Sequence, residues 1–389
     1  MRIIQASFII PLNGPIITNG YLFIEDDGTL LHLTNQAPIT DDFEVEVYQG
    51  ILCPGFINSH CHLELSHMKA LIPEATGLPE FVNQIPKLRD KYVLDPEEAM
   101  TAGNKEMAAN GIVAVGDISN TSDSLKIKKD SPIKYHSFVE LFGLDKQKSK
   151  ELLAHGETVL QEYRSKGLKA SLVPHAPYSM SPELLEGIYA NTQDQILSIH
   201  HQETPSENEM FLESKGDLVD LYRSRAVDIS SQIAFEKNSS EYSLLQYLAK
   251  DQKVLLVHNT YSSSFDIEQV ENHFSNAYWC TCPKANWYIE RSLPNYDLWR
   301  EKELKITVGT DSLASNDTLS ILEELKLIQK SFPHISTEEL LTWGSKNGAA
   351  FFNYTELGSF TIGNKPGILL IENVNGMNLT EHSKVKVLA

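Results

Sequence analysis

The stretch PGFINSHCHLELS, residues 54–66, runs from a short apolar segment straight into two histidines that are separated by one residue. Residues 55–58 have the character of a buried strand, and the polar residues begin where that strand should end. Side chains two apart on a strand point to the same face, so His60 and His62 can reach one ion while Cys61 points away. The stretch therefore predicts a buried strand with a metal-binding His-x-His pair at its carboxyl end.

Seven further short apolar runs follow, each separated from the next by a longer segment that includes helical spacing. They occupy residues 112–117, 135–141, 168–173, 196–200, 254–258, 278–281 and 306–310. Eight strands that alternate with helices over about 300 residues predict an α/β fold of the TIM-like (β/α)8 barrel type. A doubly wound open sheet is the alternative, because periodicity does not distinguish open from closed sheets. Its dinucleotide-binding version is disfavoured, since no G-x-G-x-x-G follows any of the runs.

The two ends of the chain differ from this middle part. The first fifty residues alternate β-branched or aromatic runs with Asn-Gly, Asp-Asp-Gly and Gly-Pro breaks, which is typical of hairpins. The last thirty residues again contain short strand-like runs, at 367–371 and 385–387. We therefore expect both ends to pair in one small sheet domain, with two unrelated terminal hairpins as the alternative.

Composition excludes several classes of protein. Of 389 residues, 41% are hydrophobic and 22% are charged, which rules out a disordered chain, a collagen-like fibre and a coiled coil. Lys and Arg number 33 against 52 Asp and Glu, so the net charge is −19, and no basic patch offsets it. Such a surface repels phosphate, and neither a nucleic-acid nor a membrane partner is expected. With four cysteines, no targeting signal and no apolar run of about 20 residues, we expect a cytoplasmic protein.

Polar residues follow several of the predicted strands. His175, His200, His258 and Asp311 come after the fourth, fifth, sixth and eighth runs. The carboxyl ends of barrel strands form one mouth, so residues that are distant in sequence meet there. Together with the His-x-His pair, His200 and Asp311 would supply three nitrogens and one carboxylate oxygen. That set suits zinc or ferrous iron with one position open for water.

The cysteines offer a competing metal site. Zinc-dependent deaminases of the cytidine type combine H-x-E with P-C-x-x-C, and residues 62–64 match the first half. The second half is missing, because Cys280 and Cys282 are one residue apart and Cys53 stands alone before Pro54. The spacing excludes this alternative and leaves Cys280 and Cys282 as small residues of the seventh strand.

Six segments, taken together, resemble the strand-end motifs of the amidohydrolase superfamily. They are PGFINSHCHLELS (54–66), PHAPYSMSPELL (174–185), SIHHQETPSENE (198–209), LLVHNTYSS (255–263), CPKANWYIERSLPN (282–295) and VGTDSLASND (308–317). The sequence is most similar to the purine and triazine deaminases and chlorohydrolases, and its H-x-H-L-E-L-S and H-A-P-Y-S motifs to aminodeoxyfutalosine deaminases of menaquinone biosynthesis. The resemblance implies a barrel of residues 52–357 and a composite β-sandwich of residues 1–51 and 358–389.

The resemblance also implies the roles of individual residues. Four side chains would bind a single divalent metal, zinc by default with iron or manganese as alternatives: His60, His62, His200 and Asp311. Three would be catalytic: Glu203 as a proton shuttle, His258 as a hydrogen-bond partner of the attacking water or the developing anion, and Asp311 as a proton acceptor. Two histidines are adjacent after the fifth strand, and we choose His200 over His201 because it keeps the three-residue step to Glu203.

Three further residues are expected to contact the substrate. His175 and Glu80 match family positions, the latter for ribose hydroxyls. Arg291 is the best-placed arginine for a substrate carboxylate, with Arg89 second, because a bidentate arginine pair selects such a group. The alternative for Arg291 is an arginine that only solvates a surface loop.

The predicted function is hydrolytic deamination of an aminopurine nucleoside, either aminodeoxyfutalosine or an adenosine-like compound, with release of ammonia. Two alternatives remain within enzymes: displacement of chloride from a triazine and opening of a cyclic amide. Outside enzymes, a metal-free binding scaffold is the alternative, although all four metal ligands are present in this chain. A homodimer is expected from the resemblance.

Overall fold

The structure, a computed structural model, describes residues 1–38, 44–91, 94–190, 192, 195–227, 229, 233 and 237–389. The described strands are β1 (Arg2–Ile9), β2 (Ile17–Ile24), β3 (Leu30–Thr34), β4 (Val45–Pro54), β5 (Phe56–Cys61), β6 (Ile112–Ser119), β7 (Lys134–Leu141), β8 (Lys169–Pro174), β9 (Leu197–His201), β10 (Lys253–His258), β11 (Asn276–Thr281), β12 (Ile306–Val308), β13 (Ile368–Glu372) and β14 (Lys384–Val387). The described α-helices are α1 (Leu78–Leu88), α2 (Pro96–Ala109), α3 (Leu125–Asp130), α4 (Ser149–Ser165), α5 (Pro182–Tyr189), α6 (Pro205–Glu213), α7 (Asp217–Ser224), α8 (Ser264–His273), α9 (Pro283–Glu290), α10 (Tyr296–Glu301), α11 (Ile321–Ser331), α12 (Thr337–Leu341) and α13 (Asn347–Phe352).

All eight apolar runs of the middle part form strands, and helices separate most of them. The strands pair in parallel as two four-stranded sheets, β5-β6-β7-β8 and β9-β10-β11-β12. At one seam the His200 amide donates to the His175 carbonyl at 2.9 Å, and at the other the Thr310 amide donates to the His60 carbonyl at 3.0 Å. Within the described strands the order never reverses, unlike that of a doubly wound sheet. The mixed α/β class is confirmed.

The seam between β12 and β5 places Asp311 beside the His-x-His pair. A Cβ on Gly309 would lie 2.7 Å from the His60 carbonyl oxygen and 2.8 Å from its Cβ, so only glycine allows this approach. The Asn58 side chain crosses the same seam, donating to Thr310 Oγ1 at 2.8 Å and accepting from the Thr310 amide at 3.1 Å. The first and last strands of the predicted barrel are therefore held in contact at the level of the candidate site.

The two ends of the chain share one sheet, as predicted. Its six strands have the order β14-β13-β4-β1-β2-β3, and β4 pairs with strands from both ends. The described strands show one sheet with hydrogen bonding that is continuous through β4, and its arrangement as a β-sandwich remains a prediction. The two faces of the sheet pack differently: Leu52 and Leu370 belong to a small core of its own, and Ile51 and Ile371 to the main core. Because β4 ends at Pro54, it crosses the predicted boundary at 51/52, and the domain limits remain a prediction.

Two other expectations concern cysteines and membranes. All four cysteines are buried and free, which agrees with the assignment of Cys280 and Cys282 as small core residues. In the part of the chain that the structure describes, no helix is both long enough and apolar enough to span a bilayer.

Candidate metal and catalytic site

The strand ends bring three imidazoles and one carboxylate together. The Nε2 atom of His62 lies 3.1 Å from that of His60 and 3.2 Å from that of His200. Asp311 Oδ1 lies 3.3 Å from His62 Nε2 and 3.6 Å from His60 Nε2. His60, His200 and Asp311 are buried, and His62 is largely so. The four residues predicted as metal ligands thus form one compact cluster, called the histidine cluster below.

The donor atoms of this cluster fit a divalent metal. With Zn–N bonds of about 2.0–2.1 Å, ligand atoms around a tetrahedral ion lie about 3.3 Å apart, close to the spacings observed. The Nδ1–H of His200 donates to the His175 carbonyl at 2.9 Å, so in the neutral ring its Nε2 lone pair faces the cluster. Burial lowers the pKa of His60, His62 and His200, that of His62 to about 4, which keeps the imidazoles neutral at neutral pH. Converging lone pairs repel one another unless a cation lies between them.

The structure distinguishes the two adjacent histidines of β9. His201 points away from the cluster, with Nδ1 2.9 Å from Asn259 Oδ1 and Nε2 2.8 Å from Ser240 Oγ. Successive side chains of a strand face opposite sides, so only one of the pair can reach the cluster. That residue is His200, which agrees with the choice made from its spacing to Glu203.

Glu203 and His258 lie next to each other beside the cluster. Glu203 Oε1 is 3.5 Å from His258 Nε2, and the His258 ring centroid is 5.5 Å from that of His200. The Nδ1–H of His258 donates to Asn286 Oδ1 at 2.7 Å, which leaves a lone pair on Nε2 of the neutral ring. Burial raises the pKa of Glu203 well above its usual value, which favours the protonated form of this carboxyl group.

The surroundings of Asp311 shift its pKa in the opposite direction to that of Glu203. Burial acts to raise its pKa, but the contacts with His60 and His62 outweigh burial and hold the pKa below its usual range. Ser315 Oγ donates to Asp311 Oδ2 at 2.6 Å, which directs the other oxygen toward the histidines. Both Asp311 and His258 have positive φ angles, 56° and 74°, a conformation that non-glycine residues adopt mainly where surrounding structure imposes it.

Of the residues predicted to contact substrate, His175 lies at the cluster. Its ring centroid is 4.8 Å from that of His200, and its Nδ1 is 2.8 Å from Ser179 Oγ. Glu80 is exposed on α1, where its carboxylate accepts hydrogen bonds from Asn83 and Gln84 of the same helix, both at 3.0 Å.

Arg291 lies at the carboxyl end of α9, where it forms an ion pair with Glu74. It lines a cleft of about 880 Å³ whose basic residues include Lys284, which is paired with Asp317. The described contacts of Glu80 and Arg291 do not include the histidine cluster, so their roles as substrate contacts remain predictions. Arg89, the second choice, has its Nη2 3.8 Å from Glu64 Oε2.

Several residues that complete the site were missed by the sequence argument. They hold the predicted residues in place: Asn286 on His258, Ser315 on Asp311, Ser179 on His175 and Glu140 beside His200. Ser179 and Ser315 each lie four residues after their partner, within motifs that had been recognised. A search for polar residues three or four positions after each predicted site residue would have found them. Glu140 had one signal, a carboxylate inside the otherwise largely apolar end of the run 135–141.

Residues 51–386 match the model of the amidohydrolase family. The chain therefore belongs to the amidohydrolase family and is a hydrolytic enzyme, and the superfamily membership predicted from the six segments is confirmed.

The individual proteins to which this chain is similar have low sequence identity to it. The adenosine deaminase of Helicobacter pylori (strain ATCC 700392 / 26695) is 27% identical over 309 residues, which cover 77% of this chain and 74% of the relative. The crystal structure of Helicobacter pylori aminofutalosine deaminase in complex with methylthio-coformycin has a TM-score of 0.84 at 23% identity, covering 100% of this chain and 98% of the other. The zinc-complexed atrazine chlorohydrolase of Arthrobacter aurescens TC1 has a TM-score of 0.75 at 18% identity, covering 98% and 90%.

Proposed function

We propose that this protein is a metal-dependent deaminase that hydrolyses the exocyclic amino group of an aminopurine nucleoside, aminodeoxyfutalosine or an adenosine-like compound. The observation that carries the proposal is the geometry of two buried carboxyl groups: Asp311 Oδ1 lies 3.3 Å from His62 Nε2 in the histidine cluster, and Glu203 Oε1 lies 3.5 Å from His258 Nε2 beside it. Their surroundings raise the pKa of Glu203 and lower that of Asp311. Environments that separate two pKa values in this way assign one group as acid and the other as base. The deaminases among the similar proteins support the same reaction class. The closed (β/α)8 barrel is part of the proposal, supported by the bonds at both seams.

Each residue has a task that its surroundings permit. A divalent metal held by the histidine cluster would supply a Lewis acid that lowers the pKa of water. Glu203 donates its proton to the ring nitrogen next to the amino-bearing carbon, which makes that carbon more electrophilic. Asp311, ionised at neutral pH, accepts one proton of the attacking water. His258 Nε2 accepts a hydrogen bond from the attacking water and then from the hydroxyl group that this water becomes in the tetrahedral intermediate.

Collapse of the tetrahedral intermediate restores both carboxyl groups. Asp311 passes its proton to the amino group, which leaves as ammonia. The remaining hydroxyl proton returns to Glu203 as the ring carbonyl forms. One water is consumed and one ammonia released, and no group on the protein changes its net protonation over the cycle.

A substrate screen tests the proposal. We expect ammonia release and an ultraviolet spectral change with at least one of adenosine, methylthioadenosine, S-adenosylhomocysteine and aminodeoxyfutalosine. Chloride release from a chlorotriazine without ammonia from any nucleoside would instead favour the chlorohydrolase alternative. Inertness toward all of these compounds, together with no metal in protein purified without chelators, would favour the binding scaffold.

The proposal also includes the identity of the metal, the oligomeric state and the cellular location of the protein. Three histidine nitrogens and one carboxylate favour zinc as the native metal, with iron or manganese as alternatives. A cytoplasmic homodimer is proposed, and with aminodeoxyfutalosine as the substrate the enzyme would act in menaquinone biosynthesis.

Arg291 provides a test of substrate charge. If it contacts a substrate carboxylate, Arg291→Ala is expected to lower kcat/KM for aminodeoxyfutalosine by about 10–100-fold, because a charge-assisted hydrogen bond contributes about 1.5–3 kcal/mol. Adenosine, which lacks the carboxylate, serves as the control substrate in steady-state assays. Equal loss with both substrates would leave Arg291 as the ion-pair partner of Glu74 alone.

A further inference from the structure

Helix α11 carries a buried carboxyl group that the proposed reaction does not use. Glu324, in the first turn of α11, is completely buried. Its Oε1 accepts a hydrogen bond from Asn316 Nδ2, and its Oε2 accepts one from the Lys284 amide, both at 2.8 Å. One carboxyl group therefore joins the segment that follows β12 to the start of α9.

The first of these contacts leads to Asp311. Asn316 Nδ2 also donates to the Thr310 carbonyl at 2.8 Å, and Asn316 Oδ1 accepts from the amides of the next two residues, at 2.8 and 3.3 Å. The Thr310 carbonyl and the Asp311 amide belong to one peptide group, and that amide donates to the His60 carbonyl at 3.1 Å. Because a peptide group is planar, the bonds at its two ends fix its orientation. They hold Asp311 at its positive φ angle of 56°.

The second contact leads to His258. Lys284 is the second residue of α9, and its amide is one of those that a helix leaves without an internal partner. Cys282 occupies the N-cap position, where Ser, Thr, Asp or Asn usually accepts such an amide, and Glu324 accepts it instead. Asn286, in the same turn of α9, accepts the Nδ1–H of His258 at 2.7 Å. The contact of Glu324 thus fixes the turn that orients His258.

The two contacts of Glu324 use its two oxygens separately. Two N–H donors suit the ionised carboxyl group, which accepts on both oxygens. Burial raises the pKa of Glu324 to about 8, whereas the two donors and the Lys284 ammonium group act to lower it. A glutamine at this position has one oxygen and one NH2 group, so it can keep only one of the two bonds. The other buried donor would then lose its acceptor, which is unfavourable.

A second buried polar side chain of α11 leads away from the site. Gln329 Nε2 donates to the Ile335 carbonyl at 3.3 Å and to Thr337 Oγ1 at 3.1 Å. Its Oε1 accepts from the Leu379 amide at 2.7 Å. Gln329 and Glu324 therefore make the same kind of buried hydrogen bonds from one helix. Of the two, Glu324 contacts the segments that carry residues of the proposed reaction.

We propose that Glu324 is a positioning residue for Asp311 and His258. Through Asn316 it fixes the peptide group that precedes Asp311. Through the first turn of α9 it fixes Asn286 and hence the ring of His258. This inference rests on the proposed deaminase function, in which these two groups act on the attacking water, and it adds a residue from outside the histidine cluster.

The first experiment compares Glu324→Leu with the matched control Gln329→Leu. The readouts are zinc affinity from competition with a chelator, kcat and KM at saturating zinc on the best substrate of the screen, and Tm. We expect Glu324→Leu to lower both zinc affinity and kcat by about tenfold or more, the scale known for residues that support metal ligands. KM should stay the same, because the groups that Glu324 supports act on the water and not on substrate binding. Gln329→Leu should lower Tm but keep wild-type zinc affinity and kcat.

The second experiment uses Glu324→Gln, which keeps the size of the side chain and one of its two bonds. We expect a smaller loss than in Glu324→Leu, in zinc affinity when the bond to Asn316 is lost and in kcat when the bond to α9 is lost. Wild-type values of both quantities in Glu324→Gln would overturn the positioning role. Equal losses in Glu324→Leu and Gln329→Leu would also overturn it, because the losses would then follow general destabilisation.

Failure of the proposed function gives a different result. A wild-type protein that deaminates none of the nucleosides in the screen would refute that function. The zinc affinities of the same variants would still decide whether Glu324 supports Asp311.

Discussion

Glu203→Gln is expected to lower kcat for deamination by about 10²–10⁴-fold, the contribution that a positioned general acid typically makes. The substitution keeps the size of the side chain but removes its transferable proton. Burial raises the pKa of Glu203, which favours the protonated carboxyl group that can act as a proton donor, whereas an amide has no proton to transfer. Steady-state kinetics on the best substrate of the screen, with metal content measured on the same samples, will show whether the loss is in proton transfer.

Glu207→Gln is the matched control for this substitution. Glu207 is also buried, and its Oε2 accepts a hydrogen bond from the Glu203 amide at 3.3 Å, which the glutamine oxygen can still do. We therefore expect Glu207→Gln to retain activity within about tenfold of wild type, the loss expected for one weakened hydrogen bond. Full activity of Glu203→Gln would falsify the assignment of Glu203 as the proton donor.

The parts of the site that lie on strands were predictable because barrel topology brings strand ends together. His60, His62, His200 and Asp311 are up to 251 positions apart in the sequence, 311 against 60, yet each ends an apolar run or lies within four residues after one. Local patterning locates the runs, and the geometry of parallel strands then requires their carboxyl ends to meet. His200 was chosen over His201 for its three-residue step to Glu203, and in the structure His201 faces away from the cluster because alternate side chains of a strand face opposite sides.

The parts that lie on loops and helices were harder to predict. Glu80 was assigned by position in a motif, but on α1 its carboxylate is bound to two amides of its own helix. Arg291 was chosen as a cation near the mouth, and the partner that it has in the structure, Glu74, is 217 residues away in the sequence. The contact of Arg291 does not follow from local pattern, because the tertiary structure determines its partner, whereas those of Glu80 are i,i+3 and i,i+4 pairs within one helix.

Asp311→Asn and His60→Ala are expected to lose most of the bound metal, with activity reduced by more than about 100-fold, since changes in residues that merely support metal ligands already cost about 10–100-fold. Both residues belong to the histidine cluster, whose spacings suit a tetrahedral ion. Asn keeps the shape of Asp but supplies a neutral oxygen, so Asp311→Asn isolates the effect of charge from that of packing. Elemental analysis, circular dichroism and activity should be measured on the same preparations.

Ser315→Ala completes this series as a graded control. It removes the 2.6 Å hydrogen bond that orients Asp311, together with the two 3.2 Å contacts of Ser315 Oγ with Ser312. Metal affinity should therefore fall by about 10–100-fold while the ligand set stays intact. If the cluster binds a cation, metal affinity should decrease from wild type to Ser315→Ala and decrease further in Asp311→Asn. If all three proteins bound equal amounts of metal, the cation would lie elsewhere. If instead the variants unfolded while the wild type contained no metal, the cluster would be structural, its buried imidazoles and carboxylate stabilising one another by hydrogen bonds alone.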